Sequence, residues 1–332
     1  MKKSLLVVGA ASMMLAMFAT GCATGENKMA EISAHFNNPP ARYCIPVKGK
    51  EAEAAALDKK LAETSVTEIV TLAKILKDRA ILLEGRCKRL EPSPGECGAV
   101  ATAAAVTIDT VGIVMEDLAY RSSNIGKAYI YVYDKSEALK IASQKLSEDG
   151  ADAASIVASL PEDQLRDLAS GTSAIFAVLD PKQTVVTLQN IASESVKSAA
   201  EVAKLVPTLT KRVADLTGIA TGLGAKITVR STEISKELLS KGVNPFAIKA
   251  EVEKIMKDDA VVAGIQKELA AINKEIDCLK KEIEQAKIIL EYGAYIGKSC
   301  GYMVQAINET NALSQAAKKA LAQAKNAAKN ND

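Results

Sequence analysis

Few side chains in this 332-residue chain could do chemistry. It has one histidine, His35, and six cysteines: Cys22, Cys44, Cys87, Cys97, Cys278 and Cys300. One histidine excludes a His-rich zinc site, an HExxH helix and paired ExxH di-metal centres. A Ser-His-Asp or Cys-His arrangement would need His35. It sits beside Asn37-Asn38-Pro39-Pro40 and reads as a solvated residue with no role. The 40 acids are scattered over helical faces and no pair stands out as an acid–base couple. Gly293 to Ser299 (GAYIGKS) is one residue short of a phosphate-binding loop and continues an apolar helical seam, which would tie up its backbone N–H groups. Gly218, Gly222 and Gly224 do not make GxGxxG. The expectation is therefore no catalytic residue, no cofactor, no metal site and no enzymatic activity.

The cysteines read instead as cross-links. Cys87 and Cys97 flank Glu91-Pro92-Ser93-Pro94-Gly95, a forced turn between two predicted helices. A Cys87–Cys97 disulfide across it would staple a helical hairpin, contributing roughly 2.5–3 kcal/mol on the chain-entropy model. Cys278 and Cys300 fall on one predicted helix, roughly 33 Å apart, and cannot bridge each other. That leaves Cys44 to reach one of them, and the other as an odd thiol.

The elements that would position these residues are helices. Of the 332 residues 55 are Ala and only 4% aromatic, which favours helix over sheet. The 42 basic and 40 acidic residues offer no excess charge for nucleic acid. From Lys50 the chain is read as helical. Ile69, Leu72, Leu76, Ala80, Leu83, Cys87 and Leu90 lay one stripe along a first helix. A second stretch runs from Cys97 to Ser147. Pro161, Asp180-Pro181 and Asn244-Pro245 mark helix starts, Pro207 a kink, Gly222 and Gly224 a break, and Gly242 a stop. The longest pattern is C-terminal. Val262, Ile265, Leu269, Ile272, Ile276, Leu279, Ile283, Ala286 and Leu290 alternate steps of three and four, and the seam continues through Gly293, Gly297, Cys300, Val304 and Ile307. Such a repeat implies left-handed packing on partner helices, with Glu268, Glu275 and Glu282 on one flank and Lys280 and Lys287 on the other. The predicted fold is all-α, an elongated bundle of long antiparallel helices with coiled-coil-like packing formed within one chain.

At the N-terminus Lys2 and Lys3 precede an uncharged, mostly apolar run from Ser4 to Phe18, then Ala19-Thr20-Gly21-Cys22. This is a secretory signal, too short for a stable membrane span. Its ending resembles the lipobox of bacterial lipoproteins, with Ala19 where that family prefers Leu. The resemblance implies cleavage before Cys22, diacylglycerol on its sulfur and a further acyl chain on its amine, enough for stable membrane anchoring. Ala23 at the next position implies the outer membrane, facing the periplasm. The domain reading is a signal peptide over 1–21, a lipidated Cys22 with a flexible Pro/Asn-containing tether over 22–49, a helical bundle over 50–327 and a polar tail over 328–332. Lys2 and Lys3 leave with the signal, so the mature chain is formally neutral and its membrane contact falls to Cys22.

The function expected from these features is that of a lipid-anchored cell-envelope scaffold, adaptor or spacer, using helix faces to hold protein partners or further copies of itself. A second expectation is a membrane-active protein, similar in outline to the α-helical pore-forming toxins. The apolar segments Gly98–Val114, with its single charge Asp109, and Thr217–Val229 would supply it. Gly98–Val114 reads more readily as a helix buried on all sides. Tyr120, Tyr129, Tyr131 and Tyr133 cluster around Gly126 and are candidates for a ligand groove, against the simpler reading of half-buried rings with hydroxyls in water. A periplasmic ligand binder or enzyme is the third class.

Overall fold

The structure is a computed structural model that describes residues 32–34, 36, 44–64, 71, 74–75, 78–79, 81–84, 97–148 and 152–329. The signal segment, Cys22, His35 and Cys87 lie outside them. In chain order the elements are β1 (Ile45–Pro46), α1 (Glu51–Glu63), β2 (Leu83–Glu84), α2 (Gly98–Tyr133), α3 (Glu137–Glu148), α4 (Ala153–Ala158), α5 (Glu162–Val178), α6 (Pro181–Ser240), α7 (Ile248–Asp258) and α8 (Ala260–Lys329). The fold is an all-α bundle. The two short strands pair antiparallel, Ile45 opposite Glu84 and Pro46 opposite Leu83.

Helix starts follow their capping chemistry. The Asp180 carboxylate accepts the Gln183 N–H at 2.7 Å, with Pro181 in the first helical position. Asp152 accepts from Ser155 at 2.9 Å ahead of α4, and Asp259 accepts from Val261 and Val262 at 2.8 and 3.2 Å ahead of α8. Pro161 directly precedes α5. The end of α6 is closed by Gly242, whose φ of 79° is open to glycine without strain. The Gly242 N–H donates to Leu239 and the Val243 N–H to Leu238.

The chain divides into two compact units. The first holds Asp109–Glu201, Ile288–Asp332 and the described residues before Arg89. In it Leu118, Ile125, Tyr129, Leu188, Ile191, Ala199, Ile289, Ile296, Met303 and Ile307 are buried. Gly293 of α8 faces Ala199 of α6 and Met115 of α2, and an added Cβ would lie 3.0 Å from the Ala199 Cβ. The second unit holds Leu90–Ile108 and Val202–Lys287. Its core is a narrower seam of Val202, Leu209, Leu216, Leu223 and Ile234 on α6 with Val262, Ile272, Ile276 and Leu279 on α8. Arg212 meets Glu275 at 2.9 Å and Arg230 meets Asp259 at 2.9 Å, so α8 runs antiparallel to α6.

Several expectations need correction. Leu83 is in β2 and not on a helical stripe, because the described helical residues before it end at Ile81. The tether is not free from residue 32 on: Ile32, Phe36 and Cys44 are buried, and an added Cβ at Gly126 would fall within 2.7 Å of the Phe36 ring. The Pro and Asn content hid three apolar anchors. The second helical stretch is two helices, interrupted at Asp134-Lys135-Ser136. Ser136 binds Asp167 of α5 there, and its side chain leaves room only for Gly171.

In contrast, α6 runs unbroken for 60 residues through Pro207, Gly222 and Gly224. Each such residue weakens an isolated helix, but Leu209, Leu216 and Leu223 stay buried one heptad apart. Packing outweighs local propensity here. Asn244-Pro245 does not open a helix. The Asn244 side chain accepts the Phe246 N–H, and α7 begins only at Ile248. The α8 seam holds from Val262 to Leu279, and Ala286, Gly293, Gly297, Cys300 and Ile307 are buried beyond it as expected, but Glu282, Ile289 and Met303 are buried where Ile283, Leu290 and Val304 were expected. The buried face also widens from Tyr292 onward. The final two helical residues of α8 fall in the segment expected to be a polar tail.

Candidate functional site

The cysteine framework departs from the predicted one. Cys97 bonds to Cys278, 181 residues away, with a Cα–Cα distance of 5.5 Å. The expected Cys87–Cys97 bond is thereby corrected. The reason lies at the start of α2. Gly98 takes φ 73° and sits so close to α8 that an added Cβ would be 2.7 Å from the Glu275 carboxyl carbon. Cys278 follows Glu275 by one helical turn, so α8 and not the Pro-rich turn lies against Cys97. Cys44 is also disulfide-bonded, to a partner outside the described residues, and so bridges neither Cys278 nor Cys300. Its backbone N–H donates to Glu116 on α2 at 3.2 Å. Cys300 is the odd thiol expected: it is free and buried, and burial pushes it up to about 12.

Around Cys44 the first unit holds a buried polar cluster. Arg79, 2% exposed, donates to Asp58 at 2.5 Å and stands 4.4 Å above the Tyr120 ring. Its guanidinium also lies 4.0 Å from Glu116, and the Tyr120 hydroxyl donates to the same Asp58 oxygen at 2.8 Å. One buried cation thus ties α1 to α2, with charge-assisted hydrogen bonds offsetting its desolvation.

The tyrosines do not share a groove. Tyr120 belongs to that cluster. Tyr129 is buried and shares a 2.7 Å hydrogen bond with Thr310 of α8, and burial raises its phenol well above the ordinary range. Tyr133 is buried nearby, with ring centroids 6.0 Å apart, and burial pushes its phenol up to about 12. Tyr131 faces solvent under the Lys135 amine. Its hydroxyl accepts from Lys135 at 2.6 Å and its ring is exposed, so it too departs from the expected half-buried ring with its hydroxyl in water.

Gly293 to Ser299 is continuous helix, its Ser299 hydroxyl donating to the Tyr295 carbonyl. The apolar segment from Gly98 is not buried on all sides. Ala101, Ala104, Ala105, Ile108 and Asp109 face inward, while Ala103, Val106, Thr110 and Ile113 form an outward stripe. By length and composition, α2 is the one described helix able to cross a membrane. Among the described residues no group of three or more His, Cys, Asp or Glu could hold a metal ion.

What the sequence reading missed is a set of surface positions. Ile219, Val229 and Leu239 of α6, Ile255 of α7 and Val261 of α8 are large, apolar and exposed, and Phe246 between α6 and α7 is 97% exposed. The available signal was an aromatic residue placed directly after an Asn-Pro turn. No protein-family model, curated protein or solved structure matches the chain.

Proposed function

We propose that this chain is a lipid-anchored cell-envelope protein with a non-enzymatic scaffold or adaptor role, in which helix faces of the second unit receive a protein partner. The observation that carries the reading is the outward apolar set Ile219, Val229, Leu239, Ile255 and Val261. A partner that covers several of these side chains at once would join them into the contiguous apolar patch that marks an interface. The Cys97–Cys278 bond supports the compartment, since disulfides persist in oxidising surroundings such as the bacterial periplasm. Acyl chains on Cys22 would hold one end, and the helices would set the reach.

A photo-crosslinker at Ile219 or Val229 in the envelope tests this role. One reproducible protein adduct, lost in Val229→Lys, is expected; monomeric product alone would sink it. Mass spectrometry of the mature N-terminus tests the anchor, and an unmodified Cys22 would overturn it. The outward stripe of α2 favours a second reading, membrane activity. Release of α2 would strand Asp109 and Glu116, both now buried. Leakage of dye from liposomes would establish that reading, and intact liposomes at high protein-to-lipid ratio would remove it.

A further inference from the structure

The turn between α6 and α7 is built firmly yet covers nothing. Gly242 closes α6 with two backbone hydrogen bonds, and the Asn244 side chain accepts the Phe246 N–H at 3.0 Å. Arg230, ten residues before the end of α6, binds Asp259 just after α7, so the two helices form an antiparallel hairpin with this turn as its tip. Pro245 sets the backbone direction. The outcome is Phe246 held at 97% exposure, with Pro245 and Ala247 exposed and Val243 and Ile248 half-exposed beside it. A floppy loop would fold such a ring back onto its helices; this turn points it outward.

The turn itself carries only basic charge, bounded by Glu237 on α6 and Glu251 on α7. From Leu238 to Ala250 the chain carries Lys241 and Lys249 and no carboxylate, and Lys236 stands exposed one turn earlier. Glu237 is paired with Lys241 at 2.6 Å, which leaves the exposed Lys236 and Lys249 as the ammonium groups that face a headgroup. An aromatic ring with small apolar neighbours and flanking lysines matches the boundary of an anionic bilayer, where the ring enters the acyl region and the ammonium groups reach phosphates. A stable protein interface engages about 20–30 residues a side, far more than this six-residue tip supplies.

We infer that the α6–α7 tip inserts Phe246 into the interface of an anionic lipid bilayer, a membrane contact separate from any acyl group at Cys22. The chain contains no tryptophan, so Phe246→Trp in the full chain gives a single reporter at the site. Cys22→Ser in the same chain removes any acyl anchor, so failure of the tip and failure of the anchor are read separately. Vesicles of phosphatidylcholine and phosphatidylglycerol, with and without bromine-labelled acyl chains, are then added. The expected result is a blue shift and bromolipid quenching that need the anionic lipid and weaken with salt. Tyr131→Trp, in a chain that keeps Phe246, is the control and stays unquenched. Phe246→Ser in the chain with the Tyr131→Trp reporter lowers the fraction that sediments with vesicles, by roughly 10–100-fold in affinity for the loss of one buried aromatic ring. Emission unmoved by vesicles at lipid excess would overturn the inference. So would quenching equal to that of the Tyr131→Trp control. Capture of a protein by a photo-crosslinker at position 246, with vesicles inert, would assign the tip to a protein pocket instead.

Discussion

The two units hold the same long helices together by different means. In the first, α2, α6 and α8 meet over a broad face with small residues at the closest approach, as at Gly293 against Ala199, and buried polar groups find partners, as in Tyr129 with Thr310 and Arg79 with Asp58. In the second, the described seam on α6 and α8 is a single row of aliphatic side chains. A disulfide and two interhelical ion pairs, Arg212–Glu275 and Arg230–Asp259, reinforce it. A narrow helical seam buries little apolar surface per residue, and covalent or ionic ties compensate for a thin core. The wide unit adds a broad packed face to its own disulfide at Cys44 and its buried Arg79–Asp58 pair, whereas the narrow one relies on its cross-links.

Removing the covalent tie should expose this difference most. Cys97→Ser opens a 181-residue loop, which on the chain-entropy model is about 5 kcal/mol at the upper end and more typically 2–4. Hydrogen exchange is expected to accelerate in Val202–Lys287 and to change little around Tyr129 and Thr310. Equal acceleration in both regions would erase the distinction drawn between them.

Packing in the first unit is challenged by Gly293→Val. Its Cβ would sit 3.0 Å from that of Ala199, and a branched side chain there has no room. A loss of about 1–3 kcal/mol is expected in denaturant titration; an unchanged midpoint would mean the helices separate freely. Tyr129→Phe removes one hydroxyl and leaves Thr310 buried with one partner fewer. That loss is expected to be about 1–3 kcal/mol.

The Arg230–Asp259 tie of the second unit should respond to acid. Hydrogen bonding from Arg230, together with the Val262 N–H, holds the Asp259 carboxyl below its ordinary 3.8. Its folded value is depressed, so its contribution is complete above 3.8 and is lost as pH falls through the lower folded value. Carboxyl resonances followed by NMR would show this, and Arg230→Gln should return Asp259 toward its ordinary titration. The smallest response is expected at Cys300. Buried and pushed up to about 12, it should resist maleimide in the native chain and react on unfolding. Rapid native labelling would contradict the packing described for α8.

The parts legible in the sequence were those set by neighbours a few residues away. Asp180-Pro181 announced the start of α6, and the three-four stepping from Val262 to Leu279 announced the seam of α8. Where long-range packing decided, the local signs misled. Gly222 and Gly224 read as a break, but the heptad of Leu209, Leu216 and Leu223 carries the helix through them. Asn244-Pro245 resembled a cap and proved to be a turn, because an Asx side chain serves either purpose. Ile32 and Phe36 looked like residues of a tether because composition cannot say which surface waits for them. Cys97 was matched to the nearest cysteine in sequence, whereas its partner is set by the approach of α2 to Glu275.

That cross-link also sets a clock. Cys97 and its partner stand 181 residues apart, and at synthesis rates of about 5–20 residues per second roughly 10–35 s pass between their appearances. Throughout that interval Cys97 is a thiol awaiting a helix that has not yet been made. Any earlier cysteine that captures it must later give it up. The maturation of this chain is therefore paced by the emergence of α8, and an oxidant that acts too soon would trap it in the wrong pairing.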